Sequence, residues 1–512
     1  MTSLPVRLLL TAIASTGLAS FASSQEPAST DAAGAPPAAK AEPAPKTFTS
    51  WHSGEFHGTR VDYRVVAGET MLVDKDGKQE AAMFSVSYLK DGVEDLAQRP
   101  VTFLWNGGPG SSSVWLHMGV FGPLRVDVPS DARDDGGPPY RLIPNPGAFL
   151  DVSDVVFVDP VGTGFSVLRG DSKPEEFYGV QPDARAMARF IRQWLREHGR
   201  WNSPKFIGGE SYGTTRAAAV ARELEGRFDD VALNGVLLIS TILDFSIVST
   251  STGNELPHAM HLPTMAATAH YHGRAGAGVS VADFVAAARE FALGRYAQAL
   301  LRGASLPADE RAAVRAELAR FTGLSEDVIE QNDLRLHPGR FQKELLRDRG
   351  LTVGRLDSRY AGEDLDDAGE TPEEDPSFYG IDGAYTATIN HYLRETLGVD
   401  LDREYTIIGG LGAPWDWKLG GEGRPSYLNV APWLGTAMRQ NSDLRVFVAC
   451  GYYDFATPFF AAEYSLNRAG VVPERVQYAY YEAGHMMYVH HPSLAALQRD
   501  ARQFILDTLR AR

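Results

Sequence analysis

The sequence predicts an α/β fold: a mostly parallel central sheet with helices on both faces, plus a helical insertion. Three observations predict it. Short apolar runs recur, and each breaks into a loop carrying polar residues. Amphipathic helical patterns lie between several of these runs. A long middle stretch, from about 249 to 425, carries few strand signals and many helix signals.

The strands come in order. "VTFLW" (Val101 to Trp105) leads into "NGGPG", "DVVFV" into "DPVGTG", and "KFIGG" into "ESYG". "NGVLLISTILD", "LRVFVACGYYD" and "RVQYAYYEAGH" repeat the scheme. Runs this short and this continuously apolar suit strands buried on both faces. Ligands bind such sheets at the carboxyl ends of the strands. Between the runs, "DARAMARFIRQWLREH" sets Ala184, Ala188, Ile191 and Leu195 on one helical face. "TTRAAAVARELEGR" gives a helix directly after Ser211. In the middle stretch, Ser280 and Asp283 form a capping pattern ahead of Phe284, Ala288 and Phe291. Pro307 stands near a second helix start, followed by Val314, Leu318 and Phe321. "GAYTATINHYLRETLG" reads as a third helix. The acidic run "GEDLDDAGETPEED" matches no ion-loop spacing and reads as a solvated loop.

The start of the chain lies apart from this fold. Arg7 precedes an apolar run from Leu8 to about Ala22, and small residues follow. That is the pattern of a signal peptide, cut near Ala22 or Ser24. The run is too short and too rich in Ala and Ser for a membrane span, and no Cys follows it to carry a lipid anchor. An Ala/Pro-rich segment comes next and reads as a linker. The expected organisation is therefore a signal peptide at 1–24, a linker at 25–46, a catalytic core at 47–248 and 426–512, and an insertion or lid at 249–425. The expected location is the periplasm or the medium.

The 512 residues, 44% apolar and 22% charged, allow a large core. The net charge of -16 argues against nucleic acid or an anionic membrane as partner. Cys450 is the single cysteine, so no internal disulfide is available. It ends "LRVFVAC" and reads as a small buried hydrophobe. Oligomeric state leaves no mark on the sequence.

The chemistry centres on Ser211 in "GGESYG". A strand before it and a helix after it place the serine on a tight turn that lifts its hydroxyl towards the positive end of the helix. Gly209 and Gly213 supply the small flanks that turn needs. A serine hydroxyl needs a base, and in this architecture the chain order is serine, acid, histidine. His485 follows the strand "RVQYAYY", whereas His490 and His491 read as loop histidines. Asp454 follows the strand "LRVFVAC" and would orient His485. Asp443 precedes that strand, at the wrong end of the sheet. The oxyanion donors are assigned to the N–H groups of Gly108, in "NGGPG", and Tyr212. No metal or cofactor is called for.

Together "NGGPGSSS", "VDPVGTGFS", "GGESYG", "GYYDFATP" and "AGHMMY" resemble the serine carboxypeptidases of peptidase family S10. The resemblance covers both ends of the folded chain and is weak across the helical middle. It implies an α/β-hydrolase fold and removal of C-terminal residues from peptides or proteins through an acyl-enzyme. It also implies that Asn106 and Glu210 bind the substrate's terminal carboxylate. The chain departs from the family at Ser111, where Cys is usual. It departs again at Val120, which aligns without a gap with a glutamate that pairs with the one before the serine. An esterase or acyltransferase on the same fold is the competing reading. An inactive envelope binding protein is a third, disfavoured because the nucleophile, acid, base and glycine loop are all present.

Overall fold

The computed structural model describes residues 44–226, 229–419 and 427–511. The expected signal peptide and nearly all of the expected linker lie outside them. Strand β1 spans Thr47–Phe56. The other main strands are β2 (Thr59–Val73), β3 (Gln79–Lys90), β4 (Val101–Trp105), β5 (Asp154–Val158), β6 (Lys205–Ser211), β7 (Gly235–Thr241), β8 (Arg445–Gly451) and β9 (Val476–Tyr481). They lie side by side in the order β1-β2-β3-β5-β4-β6-β7-β8-β9, and the short strand Val167–Leu168 pairs with β3.

From β5 to β9 every neighbouring pair is parallel. From β1 to β3, and from β3 to β5, the pairing is antiparallel. This antiparallel extension lies outside the strands expected from continuous apolar runs. β1 alternates exposed with half-buried residues along its length, the period-2 signature of an edge strand.

Side chains alternate across the parallel strands. Phe103, Ile207, Val236 and Val446 enter one apolar layer; Leu104, Phe206, Leu237 and Phe447 enter the other. Helices α1 (Val180–Glu197) and α2 (Tyr212–Leu224) cover the first face. Ala184, Ala188, Ile191 and Leu195 are all buried there.

The middle stretch contributes α3 (Leu256–Tyr271), α4 (Val281–Phe291), α5 (Ala308–Thr322) and α6 (Asp382–His391). Ser280 caps α4, its hydroxyl accepting the Asp283 N–H at 3.2 Å. A final helix, α7 (His491–Arg510), packs Leu497, Ala501, Phe504 and Ile505 into the second layer. His491 is its first residue and His490 precedes it, so these two histidines open a helix instead of sitting in a free loop. Cys450 is buried with a free thiol, and burial pushes that thiol well above its ordinary range. Among the described residues no helix is long and apolar enough to cross a membrane.

Candidate active site

Ser211 closes β6 with φ 60° and ψ -131°, a conformation that L-residues rarely adopt. The turn is forced by its surroundings. A side chain at Gly209 would run into the Gly213 carbonyl and come within 2.8 Å of Trp105 Nε1. One at Gly213 would meet the Trp105 carbonyl at 3.0 Å. The Trp105 indole N–H donates to the Gly213 carbonyl at 2.9 Å, tying the end of β4 to the elbow. The Ser211 side chain does not cap α2, so its hydroxyl is not spent on the helix.

Two strands away, Asp454 sits on the loop after β8. Its Oδ1 accepts the N–H groups of Ala456 and Thr457 at 2.8 and 2.9 Å. Its Oδ2 accepts the Thr457 hydroxyl at 2.6 Å and His485 Nδ1 at 2.8 Å. Burial works to raise the Asp454 pKa, but His485 and Thr457 outweigh it and the carboxyl lies below its ordinary range. Burial works to lower the pKa of His485; the Asp454 charge and hydrogen bond, helped by Glu210, turn the net shift upward against the opposing field of Arg355. With Nδ1 engaged by Asp454, Nε2 is the nitrogen left for proton transfer. The His485 carbonyl accepts the Ser240 hydroxyl at 2.6 Å. Ser240 lies at an irregularity at the end of β7 and has φ 51°. The sequence reading missed Thr457 and Ser240. Thr457, three residues after Asp454 in "DFATP", carries a local turn signature; Ser240 carries no such signal.

The loop from Asn106 to Gly110 lies against the start of α2. A side chain at Gly107 would meet Tyr212 N at 2.5 Å and Gly213 N at 2.7 Å, so only glycine lets the two backbones approach. Gly108 has φ 101°, also in glycine territory. Tyr212 is the first residue of α2, and its N–H is among those a helix leaves without an intrahelical acceptor. Beneath the loop, the fully buried Arg216 donates to the Asn106 carbonyl at 2.5 Å and to Asp183 at 2.6 Å. From the outer side, Ser112 N–H reaches the Ile407 carbonyl at 2.9 Å and Gly409 N–H reaches the Gly110 carbonyl at 2.7 Å.

Asn106 and Glu210 are both buried here. Asn106 Oδ1 accepts the Leu116 N–H at 3.0 Å, which leaves its NH2 as the group available to donate. Glu210 is 3% exposed; Oε1 accepts the Tyr488 hydroxyl at 3.3 Å and Oε2 has no partner. Burial raises the Glu210 pKa to about 7, opposed by His485, Tyr488 and the nearby Asn106 amide and reinforced by Asp454. Val120 supplies no carboxylate: it is buried in the second apolar layer, and its carbonyl accepts Asn145 and Gln498, both at 2.7 Å. A side chain at the adjacent Gly119 would meet the Tyr488 ring at 2.6 Å and the Tyr385 hydroxyl at 2.8 Å. Tyr488 and Tyr385 therefore crowd the backbone beside Val120, and Tyr488 reaches Glu210. Tyr488 lies three residues after His485, but no sequence rule ties it to Glu210.

A cavity of about 730 Å³ opens beside these loops, lined in part by Ile242, Phe245, His261, Arg355, Phe455 and Ala456. Trp415 donates its indole N–H to the Tyr212 hydroxyl at 3.0 Å, and Trp417 packs edge-on against both Tyr212 and Phe245.

Residues 69–270 match the family model for serine carboxypeptidases. The pheromone-processing carboxypeptidase KEX1 of Leptosphaeria maculans is 33% identical over 211 residues, covering 38% of this chain and 30% of the relative. Serine carboxypeptidase-like 7 of Arabidopsis thaliana is 29% identical over 153 residues, covering 29% and 33%. The match thus spans a third or less of each of these curated relatives. The crystal structure of Kex1(delta)p, a prohormone-processing carboxypeptidase from Saccharomyces cerevisiae, superposes with a TM-score of 0.53 at 14% identity, over 87% of this chain and 92% of that one. That likeness shows a shared fold. The chain has an α/β-hydrolase fold, and its region 69–270 matches the serine carboxypeptidase family model.

Proposed function

We propose that this chain is an exported serine-type carboxypeptidase. Ser211 is its nucleophile, His485 its base and Asp454 the group that orients His485. The observation that carries the reading is the position of Glu210: it lies immediately before the serine, buried, with one carboxyl oxygen unpartnered, and burial raises its pKa to about 7. A carboxyl held protonated in that position can donate a hydrogen bond to a substrate's terminal carboxylate, which an ionised one would repel. The Asn106 NH2 supplies a second donor.

In the reaction, Ser211 Oγ attacks the carbonyl of the last peptide bond while His485 Nε2 takes its proton. The N–H groups of Gly108 and Tyr212 receive the oxyanion. The imidazolium returns its proton to the leaving amine and the C-terminal residue departs. Water, activated by His485, then cleaves the acyl-enzyme. The pair at 2.8 Å between His485 and Asp454 supports the base assignment. Export rests on the leader pattern ahead of the fold, and residues 249–425 are proposed as an insertion that borders the substrate cavity.

The test uses matched peptides with free and amidated C-termini, with mass spectrometry of the products. The expected result is release of the C-terminal residue from the free acid, and a loss of roughly 10⁴-fold or more in kcat for both Ser211→Ala and His485→Ala. The double variant should be little worse than either single, because the residues act as a unit. Equal turnover of acid, amide and ester would replace this reading with an esterase. Multiplying losses would overturn the shared step.

A further inference from the structure

The segment Gly354–Tyr360 belongs to the helical middle of the sequence, far from Asp454 and His485 along the chain. In space it is joined to both of their loops by four consecutive residues. The Arg355 carbonyl accepts the N–H of Phe455 at 3.0 Å, and Ser358 N–H donates to the Tyr453 carbonyl at 3.0 Å. Asp454 is thus gripped on both sides. The Leu356 carbonyl accepts the N–H of His485 itself at 2.6 Å. Asp357 Oδ2 accepts the N–H of Gly484 at 3.1 Å.

The segment is fixed from behind. Asp375 accepts the N–H groups of Arg355 and Leu356 at 2.9 and 3.0 Å. Asp357 N–H donates to the Ser377 hydroxyl at 3.0 Å. The Arg359 guanidinium grips the buried Asp357 carboxylate through Nε and a terminal nitrogen, at 3.0 and 2.5 Å. Ser358 is tied to α3 by the Thr268 hydroxyl at 2.6 Å, and its carbonyl lies 2.7 Å from Nε2 of His272, the residue after α3. The contact with the histidine loop is close: a side chain at Gly484 would collide with the backbones of Leu356 and Asp357.

We propose that residues 355–358 form a positioning brace that sets the Asp454–His485 geometry, and that Asp357 is its positioning residue. The inference rests on the triad reading above. Beyond the strand ends the Tyr453 N–H still reaches the Ala483 carbonyl at 3.0 Å, but that bond stops short of Asp454 and His485; there residues 355–358 meet the backbones of Tyr453, Phe455 and His485. Misplacing a reacting group by about 1 Å can cost on the order of 10²-fold in rate. An interaction that only aligns the base should act on kcat and leave ground-state binding alone.

The experiment measures the rate of Ser211 labelling by a fluorophosphonate, together with kcat and KM on a free-acid peptide, in the full chain. Asp357→Ala and Gly484→Ala are expected to slow labelling and lower kcat by roughly 10- to 100-fold with KM within about twofold. Asp357→Asn keeps an oxygen for the Gly484 N–H and should recover most of the rate. Asp364→Asn is the control: Lys343 and Asp364 form a buried pair at 2.7 Å in the same region without touching either loop. It should lower the unfolding midpoint and leave labelling unchanged. Folded Asp357→Ala protein that labels within about twofold of wild type would overturn the brace alone, as would an equal slowing in Asp364→Asn. An unlabelled wild type would overturn the nucleophile assignment itself, and the brace with it.

Discussion

Two arginine–carboxylate pairs of equal length stand in different regions of the molecule. Beneath the serine elbow, Arg216 meets Asp183 at 2.6 Å, with side chains 0% and 5% exposed. On the helical middle, Arg302 meets Glu310 at 2.6 Å, both 50% exposed. Geometry alone would rank them equal. Desolvation separates them: burial holds the Asp183 carboxyl above its ordinary range even with Arg216 beside it. A buried pair is costly to assemble, but costlier still to break from one side. The buried pair also does something the exposed one does not. Arg216 reaches through to the Asn106 carbonyl and so supports the loop carrying the proposed oxyanion donor. At the carboxyl ends of the strands, Arg216 and Asp183 hold a loop in place; at Arg302 and Glu310, charge faces water.

The largest effect expected from this contrast is at Arg216. Arg216→Met leaves Asp183 buried without its cation and the Asn106 carbonyl without its donor. It should cost about 3–5 kcal/mol in urea unfolding, with fluorophosphonate labelling reduced as the glycine loop loosens. Adding Asp183→Asn should recover part of the stability, since it removes the stranded charge. A loss below about 1 kcal/mol for Arg216→Met would put this pair in the same class as the exposed one.

Glu210 sharpens the comparison, because it is a buried charge site with no arginine at all. Its folded pKa is about 7, above the ordinary 4.5. The sign follows from linkage: stability associated with the protonated carboxyl is fully present below about 4.5 and is lost as pH rises through about 7. Glu210→Gln removes that titration. Its stability advantage over wild type should grow between those pH values, approaching roughly 3 kcal/mol. Activity should show the same group. The charges and dipoles facing Glu210 are those of His485, Asp454, Tyr488, Tyr385 and Asn106. Free-acid peptides need protonated Glu210 and neutral His485, so their kcat/KM should fall above about pH 7. Amidated peptides and esters need mainly neutral His485 and should stay active at higher pH. In Glu210→Gln the alkaline fall should flatten for free acids alone. Superimposable acid and amide profiles in the wild type would remove Glu210 from carboxylate binding.

How much of this was legible in the sequence follows from the range of each interaction. The parallel strands were, because each is a local apolar run with a turn after it. Ser211, Asp454 and His485 could be named because each follows such a run, and the structure brings Asp454 and His485 to 2.8 Å. β1 and the first half of β2 alternate exposed with more buried residues, and β3 interrupts its buried run with Ser85 and Ser87, so none of them reads as a continuous apolar run. Arg216 sits in "TTRAAAV" and looks like a surface residue of α2 until Asp183, from α1, is placed against it. Tyr488 and the 355–358 segment were illegible for the same reason: their meaning lies in contacts between chain segments remote in sequence. Val120 was read as a missing carboxylate, yet the tyrosines that occupy that neighbourhood come from two other elements.

The smallest effect is expected at Arg302 and Glu310, and it tests the other arm of the comparison. Each side chain is 50% exposed, so water competes for the charge on both. Holding two long side chains in one arrangement costs rotamer entropy. For exposed pairs these terms leave about 0–1 kcal/mol. A double-mutant cycle with Arg302→Ala and Glu310→Ala should therefore give a coupling below about 1 kcal/mol. The coupling should shrink further in 1 M salt, where the Debye length falls to about 3 Å. Labelling of Ser211 should not change in any of the three variants, since neither side chain contacts a catalytic loop or the 355–358 segment. A coupling of about 3 kcal/mol that survives salt would show that this exposed pair behaves like a buried one. A labelling change without loss of stability would mean that α5 is mechanically connected to His485 by a path other than residues 355–358.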